Sequence, residues 1–171
     1  VNPAAVEWMT KIKGGYGKVI WLPTFDSESQ VKLTKGNRPF AAVTRDGRIL
    51  PEVLQVMALA AKHDLVLETG HSAPTESLQI IELQISAAVE RLGPEHRQTI
   101  NTKVHQAELL DLVGRYAESI AVSESVLAPA TKLFGESGEL TIISHTILAG
   151  ALAGAGDRAG AQEQLAIALE R

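Results

Sequence analysis

A recurrence at 42 residues is the feature that most narrows what this chain can fold into. The segment 92–100 matches the segment 134–142, and small or apolar residues recur at the same distance: Ala107 as Ala149, Leu110 as Leu152 and Gly114 as Gly156. Both copies have helical spacing, and the two glycines stand where a first helix would end and turn. A period of this length is typical of stacked helical hairpins, so the back of the chain is predicted to be all α-helical.

The repeat also predicts where the helical part begins and how it divides. Two units cover about residues 92–133 and 134–171, and a half unit at 74–91 matches the second helix of a preceding hairpin. Pro129 lies inside the second helix of the first unit. Proline removes a backbone donor and clashes with a carbonyl oxygen one turn earlier, which predicts a kink or break near Ala128.

Residues 1–73 follow a different pattern. Apolar runs at 19–22 and 65–67 predict two buried parallel strands, and a helix starting at Pro51 has a wide apolar face fit to cover them. Asn2 and Pro3 predict another helix start, as N-cap and first helical residue. This half is therefore predicted to be small α/β material, in which parallel strands are covered by helices.

Shorter signals lie between these elements. Asp46-Gly47 predicts a tight turn, and the apolar segment 40–43 predicts a short strand. His71 follows one predicted parallel strand, and a polar loop with Asp26 follows the other. Because ligands bind at the carboxyl ends of parallel strands, any chemistry in this half is predicted at the edge that these two loops share.

The back half carries a recognisable motif. It reads Ala107-x-x-Leu110-x-x-x-Gly114-Arg115-Tyr116-x-Glu118 after the linker 92–96, and it resembles tetratricopeptide repeats of the long, kinesin-light-chain-like kind. The resemblance implies a tetratricopeptide-type array that holds a peptide on the face lined by the first helix of each hairpin. It would place on that face Asn101, His105 and Glu108 of the first unit and Thr141 and His145 of the second.

Several segments of the front half resemble the amidohydrolase-like metal-dependent hydrolases. These segments are residues 2–6, 19–24, 46–53 and 69–71. The resemblance implies part of a (β/α) barrel with metals at the carboxyl face of the strands. It would make His71 a metal ligand, with Asp26 near the pocket and zinc or manganese as the metal.

The rest of the sequence argues against a working metal site. A hydrolytic site needs about three protein ligands, but the chain has no His-x-His pair, and no other histidine stands at ligand spacing from His71. A complete barrel of this kind needs about 250 residues, far more than residues 1–73 supply. The chain also has no cysteine and no Gly-x-Ser-x-Gly motif, so no catalytic residue is predicted.

Charge and composition limit the partners. Residues 1–80 carry nine Lys/Arg against eight Asp/Glu, and residues 81–171 carry seven against twelve. This balance offers no basic surface for nucleic acid, and the acidic half would favour a basic peptide. No apolar run reaches the roughly 18 residues of a membrane helix. With no cysteine for disulfides, we expect a cytoplasmic chain without membrane or nucleic-acid partners.

Two functions stay open at this point. The first is a protein-interaction or structural module of chimeric or rearranged origin, an incomplete hydrolase fragment joined to a tetratricopeptide scaffold, with no cofactor and with a protein or peptide partner. The alternative is a metal-dependent amidohydrolase-like hydrolase whose missing ligands come from another chain in an oligomer. An incomplete sheet also predicts association into a homo-oligomer through its unpaired edges.

Overall fold

The structure, a computed structural model, describes residues 1–12 and 14–170, in two compact units, Val1–Ile80 and Ile81–Arg171. The described residues form eight helices and two small sheets, which confirms a mixed chain with a small α/β part followed by helices. The first unit contains α1 (Pro3–Thr10), β1 (Val19–Trp21), α2 (Glu28–Leu33), β2 (Thr44–Arg45), β3 (Arg48–Ile49), α3 (Pro51–Lys62) and β4 (Val66–Glu68). The helices that follow are α4 (Pro74–Leu92), α5 (Arg97–Leu112), α6 (Tyr116–Phe134), α7 (Glu139–Ala155) and α8 (Arg158–Leu169).

The parallel strands of the first unit pair as predicted, but the expectation that both are buried was wrong, because Val19, Trp21 and Val66 are exposed. β1 lies beside β4, with Ile20 opposite Leu67, and α3 is part of the connection between them. Ile20 and Leu22 are buried in one core with residues of α1, α3 and the start of α4. Branched and small side chains let these helices lie close to the strands, and the core contains Val6, Val43, Val53, Val56, Ala60 and Ile80.

The helix starts and the tight turn of the first unit also agree with the sequence. Asn2 caps α1 through its side-chain oxygen, which accepts from the Ala4 N–H at 3.1 Å, and Pro51 begins α3. Asp46 and Gly47 both have positive φ, at 52° and 72°, and they join β2 to β3. Such a pair of conformations is what a two-residue hairpin requires.

The strand predicted over residues 40–43 was wrong. Ala41 forms only an isolated bridge with Ser27. Its backbone N–H donates to the Asp26 carbonyl at 2.7 Å, and its own carbonyl accepts from the Glu28 N–H at 3.2 Å. These bonds to a neighbouring loop take the place of a strand ladder, so the segment has no extended partner.

Helices α5 to α8 pack as two consecutive hairpins. Each helix contacts the next, and α5 also contacts α7. Their core is made of small and branched side chains, and it contains Ile100, Val104, Ala107, Val126, Ala130 and Ile147. α4 begins at Pro74, and the border between the two compact units falls within it, after Ile80.

Pro129 does not break α6. The helix runs without interruption from Tyr116 to Phe134, so of the expected kink or break near Ala128 the break does not occur. Proline costs one hydrogen bond and a local clash, about 3 kcal/mol. Burial on both sides of Pro129 offsets that cost, because Val126 and Ala130 are almost fully enclosed. None of the described helices has both the length and the apolar character that crossing a membrane requires.

Candidate functional site

The loops that follow β1 and β4 meet at one edge of the parallel sheet, as predicted. The backbone N–H of His71 donates to the Pro23 carbonyl at 3.0 Å. The Ser27 hydroxyl donates to the His71 carbonyl at 2.8 Å. The imidazole of His71 meets the Phe25 ring edge to face, with the ring centroids 5.2 Å apart. His71 is therefore held by its backbone and one ring contact, while its side chain is exposed.

Gly70 allows the two loops to approach this closely. Its φ is +63°, which strains other residues. A Cβ at this position would also collide with the carbonyl oxygens of Leu22 and Pro23. Both atoms belong to the backbone and cannot rotate away, so a glycine is needed immediately before His71.

Ser27 connects the loop after β1, the loop after β4 and the start of α2. It is not among the site residues predicted from the sequence. Its side chain is buried, donates to His71 and accepts from the Gln30 N–H at 3.1 Å, which caps α2. The sequence Ser27-Glu28-Ser29-Gln30 has the serine and glutamine spacing of a capping box. That spacing was the available signal for a buried serine at this edge.

Glu76 holds the start of α4 beside the same loops. One carboxylate oxygen accepts from the Ala73 N–H at 2.8 Å, and the other accepts from the Thr44 hydroxyl at 2.6 Å. Ser72 donates instead to the Thr69 carbonyl at 2.7 Å. A glutamate three residues into a helix that reaches back to the first N–H supplies half of a capping box, which offsets the lack of a polar side chain at Ala73.

The described residues do not form a metal-binding group around the candidate ligand His71. Among residues 1–12 and 14–170, no three His, Asp or Glu side chains are grouped so that they could hold an ion. Glu68 points away on the exposed side of β4, opposite Trp21 in the register. Hydrolytic metal sites use about three protein ligands, so the described residues supply at most one part of such a site.

A cleft of about 440 Å³ runs beside β1. Its walls come from α1 and the two residues before it, from β1 and the loop that follows it, and from Ala41 and Val56. Polar side chains in this wall are Asn2, Thr24 and Asp26, and the others are mainly apolar. Asp26 lines this cleft, but His71 is not among the lining residues, so the cleft is not the predicted metal pocket.

The five residues predicted to contact a peptide fall into two groups. His105 and Glu108 are exposed on α5, with Nδ1 and Oε2 3.6 Å apart, and Asn101 is half-buried. Thr141 and His145 are buried in α7, so assigning them to a peptide-binding surface was wrong. The Thr141 hydroxyl donates to the Gly135 carbonyl at 2.8 Å, and His145 Nδ1 lies 2.8 Å from Gln164 Oε1 of α8.

The burial of Thr141 repeats that of its counterpart in the first unit. A shift of 42 residues places Thr141 on Thr99, which is fully buried, and places Ile147 on His105. α7 is packed against α5, α6 and α8, so most of its side chains face a neighbour. A helix in the middle of an array has less free surface than the first helix.

The fold and its loops define a protein with a small parallel α/β unit followed by stacked helical hairpins. A sequence model of the family of unknown function DUF6282 matches residues 1–118, and the chain belongs to this family. No curated protein and no solved structure matches the chain. The family match covers all of the first unit and ends near the start of α6.

Proposed function

We propose that the chain is a protein-interaction module, not an enzyme, in which tetratricopeptide-type hairpins present a peptide-binding surface on α5. The observation that carries this proposal is a contact repeated at the 42-residue period. The Thr99 hydroxyl donates to the Gly93 carbonyl at 2.9 Å, and the Thr141 hydroxyl donates to the Gly135 carbonyl at 2.8 Å. Equal contacts at the period of the sequence support a true structural repeat.

Glycines in the same linkers support the repeat further. Gly93 and Gly135 have φ of 89° and 81°, and the hairpin glycines Gly114 and Gly156 have φ of 77° and 93°. In each case a glycine with positive φ follows the end of one helix and lets the chain turn into the next. Two successive units thus share both their turns and their linker contacts, which supports the proposed tetratricopeptide-type repeat.

The charge of the second unit favours a basic peptide as the partner. Residues 81–171 carry seven Lys/Arg against twelve Asp/Glu. On α5 the exposed Glu108 stands beside His105, and Asn101 adds a partly exposed amide. An acidic and amide surface steers and orients a cationic segment, although exposed pairs contribute little binding energy each.

In this proposal the first unit is a structural part that resembles a hydrolase fragment. One family model covers residues 1–118, so it spans this unit and α5 together. We therefore place any junction between segments of different origin after Glu118. His71 and Asp26 then belong to loops that shape the edge of the sheet, and no reaction is assigned to them.

A peptide-binding assay tests the main proposal. Labelled lysine- and arginine-rich peptides are titrated with the full chain and followed by fluorescence anisotropy. We expect binding that weakens at least about tenfold, or about 1.4 kcal/mol, in a His105→Ala, Glu108→Lys variant. Glu163→Lys on α8 makes the same change at one exposed carboxylate and serves as the matched control. Absence of binding, or equal loss in the control, would contradict the proposal.

The alternative is a metal-dependent hydrolase completed by a second chain. It is supported by His71 and Asp26, whose loops follow neighbouring parallel strands at one edge of the sheet. Metal analysis of the purified chain distinguishes the two proposals. Stoichiometric zinc or manganese that is lost in His71→Ala would favour the hydrolase, and metal at trace level in both proteins would exclude it.

A further inference from the structure

The hairpin of β2 and β3 places two arginines directly opposite each other. Arg45 is the register partner of Arg48. Side chains of opposed residues in an antiparallel pair stand on the same face of the sheet, with Cβ atoms about 4.5–5.5 Å apart. Two like charges in this position repel each other and weaken the pairing of the strands. The tip of the hairpin therefore carries a concentrated double positive charge.

No neighbouring carboxylate compensates this charge. Arg45 and Arg48 are both exposed, and neither has an ion pair or a side-chain hydrogen bond among residues 1–12 and 14–170. Asp46 lies between them in the turn but forms no ion pair with either guanidinium. Arg115 of the second unit, in contrast, pairs with Glu118, with nitrogen and oxygen 2.6 Å apart. The opposed pair thus has free donors for an anion from solution.

The other face of the hairpin is anchored, so the two arginines are held in place. Ile49 packs against the core of the first unit, and the Thr44 hydroxyl donates to Glu76 at 2.6 Å. Beside them the Leu50 N–H donates to the Val43 carbonyl at 2.9 Å. Because successive side chains of a strand alternate between its faces, the arginines are directed away from these contacts. A hairpin fixed in this way loses little freedom when it binds a ligand.

We propose that Arg45 and Arg48 together bind a phosphoryl group. The planar guanidinium presents two parallel N–H donors that match the oxygens of a phosphate, and a lysine offers only a point charge. A phosphate monoester carries about −1.5 to −2 charges at pH 7, which balances both arginines. A carboxylate or a phosphodiester carries one charge and leaves half of the repulsion in place. The ligand is therefore inorganic phosphate or a phosphate monoester.

This binding site lies in the first unit and is independent of the peptide-binding surface proposed on α5. It also explains why a repulsive pair is tolerated at the tip of a two-residue hairpin. The bound dianion converts the repulsion between Arg45 and Arg48 into two attractions. Phosphate binding should therefore stabilise the folded chain in proportion to the occupancy of the site.

Calorimetric titration of the full chain tests the proposal. The probes are inorganic phosphate, an otherwise uncharged peptide with one phosphoserine, and the same peptide with serine, at an ionic strength kept constant with chloride. We expect phosphate and phosphopeptide, but not the serine peptide, to bind with dissociation constants of about 1 mM or lower. A phosphopeptide that binds at least tenfold more tightly than phosphate identifies a phosphorylated protein as the source of the ligand, and equal affinities identify free phosphate.

Three variants separate this pair from general charge attraction. Arg45→Ala and Arg48→Ala should each weaken phosphate binding at least tenfold. Arg158→Glu changes an exposed arginine of the second unit and should leave the affinity unchanged. Absence of saturable binding up to about 10 mM of either phosphate probe overturns the proposal. An equal loss of affinity in Arg158→Glu also overturns it, because the attraction would then come from the charge of the whole chain.

Arg45→Glu gives a second measurement that needs no ligand. It places a carboxylate opposite Arg48, so the melting temperature at low salt should rise while phosphate binding is lost. In the original protein the melting temperature should rise when phosphate replaces chloride at equal ionic strength. A melting temperature that falls in Arg45→Glu at low salt, or that is raised equally by phosphate in both proteins, would contradict an anion site between the two arginines.

Discussion

The ring of Tyr116 occupies the space where a Cβ of Gly154 would stand. Tyr116 begins α6 and Gly154 lies near the end of α7, so this contact joins the two hairpins. A glycine inside a helix costs about 1 kcal/mol relative to alanine. Here that cost permits an aromatic ring to lie directly on the backbone of the neighbouring helix.

Gly154→Ala should therefore destabilise the chain although it improves helix propensity. We expect a loss of about 1–3 kcal/mol, which is typical of overpacking. In the background of Tyr116→Leu the same change should become neutral or stabilising, because the ring is gone. Chemical denaturation of the four proteins of this double-mutant cycle measures the coupling. Additive effects would show that the ring moves away at little cost.

Ser123 should be a position where removing a polar group helps. Its hydroxyl is buried and has no hydrogen-bond partner among the described residues. Ser123→Ala should raise the free energy of unfolding by about 1 kcal/mol, since an unsatisfied buried hydroxyl carries a desolvation penalty. Ser119 is the control: its buried hydroxyl donates to the Ala107 carbonyl at 2.7 Å, so Ser119→Ala should lower stability. Equal effects of the two changes would contradict this reading.

Substitutions at Gly70 and Gly47 distinguish two costs of adding a Cβ: the strain of a positive φ and the collision with neighbouring backbone atoms. Both have positive φ, but only Gly70 faces backbone atoms, while nothing lies within 4 Å of a Cβ at Gly47. Gly47→Ala should cost about 1–2 kcal/mol for the left-handed conformation alone. Gly70→Ala should cost clearly more, because the loops at His71 must separate. Thermal unfolding of both variants measures the difference, and equal losses would mean that these loops yield easily.

Glu76 should be the acidic residue on which the start of α4 depends. Glu76→Ala removes both its hydrogen bonds and should cost about 1–2 kcal/mol, as for the loss of a helix cap. Glu52, in the first turn of α3, is exposed and has no described side-chain hydrogen bond, so Glu52→Ala should change stability by less than about 0.5 kcal/mol. Ala73→Ser should add the missing half of the capping box and stabilise the helix. Chemical denaturation of the three variants measures these differences, and equal losses for Glu76→Ala and Glu52→Ala would contradict the role of Glu76.

Two carboxyl groups of the second unit should give opposite pH dependence. Burial raises the pKa of Asp111, so its folded form holds a proton more tightly and its contribution to stability falls as pH rises above about 4. The hydrogen bond from Arg115 lowers the pKa of Glu118. Glu118 therefore contributes to stability at a pH above the ordinary pKa of a glutamate, and this contribution is lost as pH falls.

Melting temperatures of two variants from pH 3 to pH 7 test these signs. Asp111→Asn should melt higher than the original protein at pH 7, and the gain should shrink toward pH 3. Glu118→Gln should melt slightly lower at pH 7, with a difference that also shrinks in acid. The effect of Glu118 should be small because the pair is exposed and screened by salt. If both variants melt higher than the original protein at pH 7, or both melt lower, the opposite pKa shifts of Asp111 and Glu118 are contradicted.

Local signals in the sequence were sufficient for much of the fold. The Asn2-Pro3 helix start and the Asp46-Gly47 turn depend on adjacent residues, and the helical hairpins follow from a pattern that recurs every 42 residues. The apolar runs also predicted the pairing of β1 with β4, because a helix connects them and the helical connection favours parallel strands. These features were predictable since their physical causes are local or periodic.

Contacts between distant residues were not predictable in the same way. His145 is buried because Gln164, 19 residues away, lies against its ring nitrogen. Ser27 reaches the carbonyl of His71 across 44 residues. The site at the sheet edge could be placed by topology, but the partners of its side chains depend on how two loops pack, which neither propensity nor spacing specifies.

The pairing of Val19 with Val66 has a consequence for how the chain folds during synthesis. It closes a loop of 47 residues, whereas α5, α6 and α7 each pack on the helix that follows directly. Contacts between residues far apart in the chain form slowly, because more chain entropy is lost before the favourable contacts are made. Although β1 leaves the ribosome first, it has to wait for β4, and its apolar residues stay open to chaperones or to other nascent chains in the meantime.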